Sequence, residues 1–291
     1  MRAPLLIVVL AVLAGAGVTL AQTQQAPVFR STVEGVAVSV SVRRNREPVT
    51  GLTGADFRLL DNGVVQTIQS VSVETLPIDV TLLLDLSSSV EGARLERLKS
   101  SVRETAALLR PADRLRLISV QHVLREVFPF QPGGTPTNVE ALTARGGTAL
   151  FDGLTAALVR AVDPERRPLI IAYTDGQDTI SALSPEVTGE IAGYSDAVIN
   201  VVVPATKDPR AAAAGLNALT TLAARTGGQL FLIDTAAPIT PSFVRAIEEF
   251  RTSYVLRYVP AGVAPRGWHE LAVDVPGRTY EVRARRGYAI N

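Results

Sequence analysis

Ile78-Asp79-Val80-Thr81-Leu82-Leu83-Leu84-Asp85-Leu86-Ser87-Ser88-Ser89 is the stretch from which the rest of the chain can be read. Its first half is a short, near-continuous apolar run, the pattern of a strand buried on both faces of a parallel sheet. The run stops at a carboxylate, Asp85, and hydroxyls follow at Ser87 and Ser89. An amphipathic pattern begins at once, with Val90, Leu95, Leu98, Val102, Leu108 and Leu109 near helical spacing. Asp85, Ser87 and Ser89 therefore fall in the loop where a central strand hands over to a helix, at the sheet edge where open α/β folds place their ligands. One carboxylate and two hydroxyls make an all-oxygen half-shell suited to a hard divalent cation such as Mg²⁺.

Two later stretches complete that shell. Leu169 to Gly176 is a second buried-strand run, ending in Thr174-Asp175-Gly176, and Gly146-Gly147-Thr148 opens a helix expected over 149–162. Asp85-x-Ser87-x-Ser89, Thr148 within Gly-Gly-Thr and Asp175 within Thr-Asp-Gly resemble the metal-ion-dependent adhesion site (MIDAS) of von Willebrand factor type A domains. The resemblance implies a doubly wound, mostly parallel, Rossmann-like sheet in which the first and fourth strands are neighbours across the point where the strand order reverses. It implies a bound Mg²⁺ or Mn²⁺ held by Asp85, Ser87, Ser89, Thr148 and Asp175, with Asp175 acting through a bridging water. It also implies an open coordination position that accepts an Asp or Glu of a protein partner. Ser88 stands where relatives often have glycine, which removes no ligand.

The hydroxyls matter because they are neutral donors. A site with only two acids leaves the cation under-neutralised and able to take a carboxylate from another molecule, whereas four or five acids would make a closed Ca²⁺ store. Each residue also has a plainer role available: Asp85, Ser87, Ser89 or Thr148 could simply cap the following helix. Asp178 reads as a solvated loop acid. His122 and His269, the only histidines, read as strand-end or surface residues, and Arg283, Arg285 and Arg286 as a solvated strand face.

At 291 residues and 47% hydrophobic content the chain can bury a sizeable core. A net charge of +1 gives no electrostatic reason to expect a nucleic-acid or membrane-surface partner. Cysteine is absent, which excludes disulfides, thiol catalysis and a lipidated cysteine. Met1-Arg2, an apolar stretch from Leu5 to Leu20 and then Ala21 before glutamines read as a secretory signal peptide over 1–21. The alternative is an uncleaved anchor. A secreted or periplasmic location is the corresponding expectation.

Alternation at Val36, Val38, Val40 and Val42 and the hairpin signal Asp61-Asn62-Gly63 mark 28–75 as β. Strands and helices alternate over 76–252, the pattern of a doubly wound domain. Residues 253–291 return to β. Front and tail together resemble bacterial VWFA-related domain proteins. Neither set has enough strands for its own core, so the two are expected to pack as one accessory β module with the type A domain inserted between them.

Function divides three ways. A non-catalytic, metal-dependent adhesion or protein-binding module leads. A Mg²⁺-dependent phosphohydrolase would place an acid two residues after the strand-end aspartate, where Ser87 stands, and serine cannot serve as a general acid at neutral pH. The third reading is a structural subunit whose metal only stiffens the loops. A serine hydrolase lacks both a Gly-x-Ser-x-Gly and a histidine placed to activate Ser87 or Ser89. No enzymatic activity is expected.

Overall fold

The computed structural model describes residues 35–290, except 74, 135, 160–162 and 206–208. The expected leader, the linker after it and the end of the helix expected to run to 162 lie outside the described residues. Among the described residues no helix is long and apolar enough to cross a membrane.

The front of the chain forms β1 (Val36–Arg44), β2 (Glu47–Pro48), β3 (Arg58–Asp61), β4 (Val64–Val65) and β5 (Ile68–Val73). There follow β6 (Ile78–Asp85), α1 (Ala93–Leu108), β7 (Arg114–Val120), β8 (Arg125–Pro132), α2 (Leu150–Leu158), β9 (Arg167–Tyr173) and α3 (Pro185–Tyr194). The α/β part is completed by β10 (Val198–Pro204), α4 (Pro209–Thr226), β11 (Leu230–Ile233) and α5 (Thr240–Arg251). The tail forms β12 (Tyr254–Tyr258), β13 (Gly267–Asp274), β14 (Glu281–Ala284) and β15 (Gly287–Ile290).

The main sheet has the order β11-β10-β9-β6-β7-β8, parallel throughout except for the β7–β8 pair at one edge. Its central strand β6 is buried along its whole length, and the pleat divides its residues between two cores. Ile78, Val80, Leu82 and Leu84 join α1 and α5 through Leu98, Val102 and Phe243. Leu83 points the other way, to Leu150 and Leu154 of α2 and Leu219 of α4. Helices on both faces and a near-continuous apolar strand are one fact seen twice. Pairing of β6 with both β7 and β9 puts the order reversal at the end of β6.

The strands before β6 and after α5 pair with one another. β1 lies antiparallel between β12 and β14, and β5 pairs with β12. In a second small sheet β3 pairs with β13, which also pairs with β15. Val38, Val40, Leu59, Leu256, Leu271 and Tyr288 from both sheets share one core. The turn at Asn62-Gly63 has positive φ at both residues (45° and 78°), matching the right-handed twist of the strands it joins.

His269, Arg283 and Arg285 are placed otherwise than their sequence context suggests. His269 is neither a strand end nor a surface residue: it is fully buried within β13, its Nδ1 2.8 Å from Asp61 Oδ1 and its ring stacked on Tyr288. The Tyr258 and Tyr288 hydroxyls donate to the other oxygen of Asp61 at 2.8 and 2.9 Å. Arg283 and Arg285 do not form a solvated face. Arg283 pairs with Glu249 of α5 at 2.9 Å, and Arg285 donates to the Gly193 carbonyl of α3 at 3.2 Å. Asp113, in the turn before β7, is buried and accepts both the Ile78 N–H and the Arg251 guanidinium at 2.9 Å.

Candidate metal centre

Three loops meet at the carboxyl edge of the main sheet: the one leaving β6, the one entering α2 and the one leaving β9. A continuous hydrogen-bond chain links the five residues singled out by motif. The Ser87 N–H donates to Asp85 Oδ1 at 3.1 Å, and the Thr148 hydroxyl reaches the same oxygen at 3.3 Å. Ser87 and Ser89 hydroxyls lie 3.0 Å apart, and Ser89 donates to Asp175 Oδ2 at 3.2 Å. Asp85, Ser87 and Thr148 are buried, Asp175 is half-buried and Ser89 is exposed. The cluster therefore opens outward on the side of Ser89 and Asp175.

The local sequence explains the placement. Gly146 has φ +71°, and a Cβ there would lie 2.8 Å from His122 Nδ1. Only glycine lets the backbone pass the end of β7 this closely. Thr148 does not cap α2. Its N–H donates to the Thr179 hydroxyl at 2.8 Å and its carbonyl accepts the Thr179 N–H at 2.9 Å, which frees its hydroxyl for Asp85. Asp178 is not a solvated acid: Oδ1 accepts the Leu150 N–H at 2.8 Å and the Ser181 hydroxyl at 2.5 Å, so it caps α2 from another loop.

Thr174 is a neighbour of the cluster that the five candidate residues do not include. Its hydroxyl donates to Asp85 Oδ2 at 2.9 Å and accepts the Gly176 N–H at 3.1 Å. A hydroxyl directly after a buried strand, just ahead of the acid, was the available signal.

Burial is the main influence on Asp85, and with the repulsion of Asp175 it pushes the carboxyl up to about 6 against the donation of Ser87 and Thr174. Among the described residues neither Asp85 nor Asp175 pairs with an arginine, lysine or histidine. Nor do three His, Cys, Asp or Glu side chains gather anywhere among them as a metal cage. The cluster is instead two acids and three hydroxyls. A buried carboxylate with no cation of its own, among neutral oxygen donors, fits a divalent ion.

Sheet order and loop placement together define a doubly wound α/β domain with an oxygen-donor cluster at the order reversal. A von Willebrand factor type A structure from Catenulispora acidiphila superposes with a TM-score of 0.51 at 12% identity, over 90% of this chain and 75% of that one. The chain has the von Willebrand factor type A fold. No family model matches the sequence. Among curated proteins it is 23% identical over 180 residues to the pig inter-alpha-trypsin inhibitor heavy chain H2, 57% of this chain and 19% of that protein. It is 32% identical over 109 residues to the uncharacterised Synechocystis protein sll0103, 35% of this chain and 26% of that one. The chain thus matches about a fifth to a quarter of the length of these relatives.

Proposed function

We propose that the chain is a secreted or periplasmic binding module in which a divalent cation, held by Asp85, Ser87, Ser89, Thr148 and Asp175, engages an acidic side chain of a protein partner. The observation that carries this reading is the hydrogen-bond chain joining these five residues around a buried carboxylate that, among the described residues, no cationic side chain neutralises. Mg²⁺ and Mn²⁺ are the proposed ions. Mg²⁺ takes six oxygens at about 2.0–2.1 Å and keeps several waters, so a cluster this poor in acids leaves an outward position and residual positive charge. Ser89 and Asp175 lie on the open side and would face that position.

The protein residues divide the work. Asp85 supplies the buried charge, held in place by the Ser87 N–H and the Thr174 hydroxyl. Ser87 and Ser89 orient one another, and Asp175 sits at the rim. The rival phosphohydrolase reading meets Ser87 at the place of its proton donor, and this serine is engaged with Ser89.

We further propose that residues 28–75 and 253–291 form one carrier module for a type A domain spanning 76–252. A chain of 76–252 is then expected to fold alone and one of 28–75 not, as read by circular dichroism.

Calorimetry tests the metal reading. Mg²⁺ or Mn²⁺ should bind the protein, Asp85→Ala should abolish binding, and Ser87→Ala should weaken it less, because a neutral ligand is lost instead of a charged one. Undiminished cation binding by Asp85→Ala would place the ion elsewhere.

A further inference from the structure

A second depression, of about 110 Å³, lies beside the candidate metal centre, between the ends of β7 and β8 and the loop over 141–145. The exposed Val123 gives it apolar surface, the buried Leu86 and Leu142 lie beneath, and Gln121, His122, Arg125 and Arg145 line it with polar residues. It shares a wall with the metal centre. The Arg145 N–H donates to the Leu86 carbonyl at 2.9 Å, Gly146 packs against His122, and the Ser88 N–H donates to the Gly146 carbonyl at 3.2 Å. The Gln121 amide donates to the Thr143 carbonyl and so ties the loop to the end of β7.

Charge is the informative feature. Arg125 and Arg145 are both exposed, and among the described residues neither guanidinium meets a carboxylate. Acids on the adjoining elements are already engaged: Glu126 pairs with Arg116 at 2.6 Å, and Glu140 pairs with Arg103. Two exposed arginines lining a depression beside the apolar Val123 suit a carboxylate carried on methylenes, which guanidinium groups can grip bidentately. The volume holds several water-sized groups, enough for the end of a glutamate side chain.

We propose that this pocket receives a second carboxylate of the same partner, so that the ligand is a peptide segment with two acidic side chains. One is directed to the cation and the other to Arg125 and Arg145. The inference rests on the cation-mediated reading of the neighbouring site, and its test separates the two.

The probes are fluorescein-labelled peptides carrying one Asp and one Glu separated by a varied number of glycines, with Gln in place of Glu as the comparison. Anisotropy is read on the full chain in Mg²⁺ and in EDTA. At the best spacing the Glu peptide should bind about tenfold tighter than its Gln counterpart. The double variant R125Q/R145Q should erase that preference while leaving affinity for the Gln peptide unchanged, and R125K/R145K should retain part of it. Both arginines are exposed, so the variants should melt with the parent. Equal affinity for Glu and Gln peptides at every spacing, or a preference untouched by R125Q/R145Q, overturns the pocket. Binding indifferent to EDTA overturns the cation reading and leaves the Glu preference to judge the pocket alone. Absence of any binding at about millimolar peptide overturns both.

Discussion

Strand β6 carries a buried aspartate at its second and at its last position, and the two are handled in opposite ways. Asp79 and Asp85 are equally inaccessible, each 1% exposed. Burial would push the Asp79 carboxyl up, but bonds from Arg114 (2.8 and 2.5 Å) and from Arg166 outweigh it and hold the carboxyl below the ordinary range. Asp85 receives only hydroxyls and a backbone N–H, and burial pushes it up to about 6. One carboxylate is neutralised from within the chain. The other has a charge that nothing in the described chain balances, the gap that the proposed cation would fill. Equal accessibility with unequal compensation separates an acid neutralised within the chain from one left for an outside charge.

The sharpest way to break this contrast is Asp79→Ala. It strands two arginine side chains against a buried site, and stability should fall by about 3–5 kcal/mol in urea denaturation. A loss under about 1 kcal/mol would mean that the pair is effectively solvated.

Asp85→Asn should act with the opposite sign in EDTA. The folded-state value is raised from 3.8 to about 6, so the folded carboxyl holds its proton to higher pH than the unfolded one. The Asp85 contribution to metal-free stability is therefore fullest below about pH 4, falls as pH rises to about 6 and is level above, a loss of up to about 3 kcal/mol. The asparagine variant should lack this slope and be about 1–3 kcal/mol more stable than the parent at neutral pH. A parent whose EDTA stability does not fall between those pH values would show that Asp85 is not strained by burial.

Adding Mg²⁺ supplies the missing charge. At a hundredfold excess over its Kd the ion should stabilise the parent by about 2.7 kcal/mol. Asp85→Asn should show no such rise in melting temperature. The smallest effect is expected from Thr174→Val, which removes one donor to Asp85. Metal-free stability should drop by about 1–2 kcal/mol, and cation affinity about tenfold by calorimetry. An unaltered affinity would reduce Thr174 to packing.

The α/β part was readable because β6 and β9 are apolar on both faces, a pattern that depends only on local composition. The five candidate residues could be named from the sequence because each stands in a short motif at a strand or helix end, and the structure brings them together. Thr174 escaped because its role depends on Asp85, 89 residues away. Asp178 looked solvated for the same reason, since the helix end it caps belongs to another loop. His269 sits in a stretch, Gly267–Glu270, with no apolar alternation, and its partner Asp61 lies 208 residues earlier. Arg283 and Arg285 showed a basic strand, but not the Glu249 carboxylate and Gly193 carbonyl that receive them.

Asp113 has a further consequence, for the order in which the chain assembles. By holding the Ile78 N–H and the Arg251 guanidinium on one carboxylate, it fixes the entrance and exit of the α/β part side by side. The front strands have no tail strands to pair with until the α/β part between them has been made. Bringing together ends about 200 residues apart in a loose chain costs about 5 kcal/mol of closure entropy. Once the intervening segment has folded around Asp113, β5 and β12 start from adjacent anchors and that search is nearly over. A single buried carboxylate would thus shorten the search by which the tail strands find the front ones.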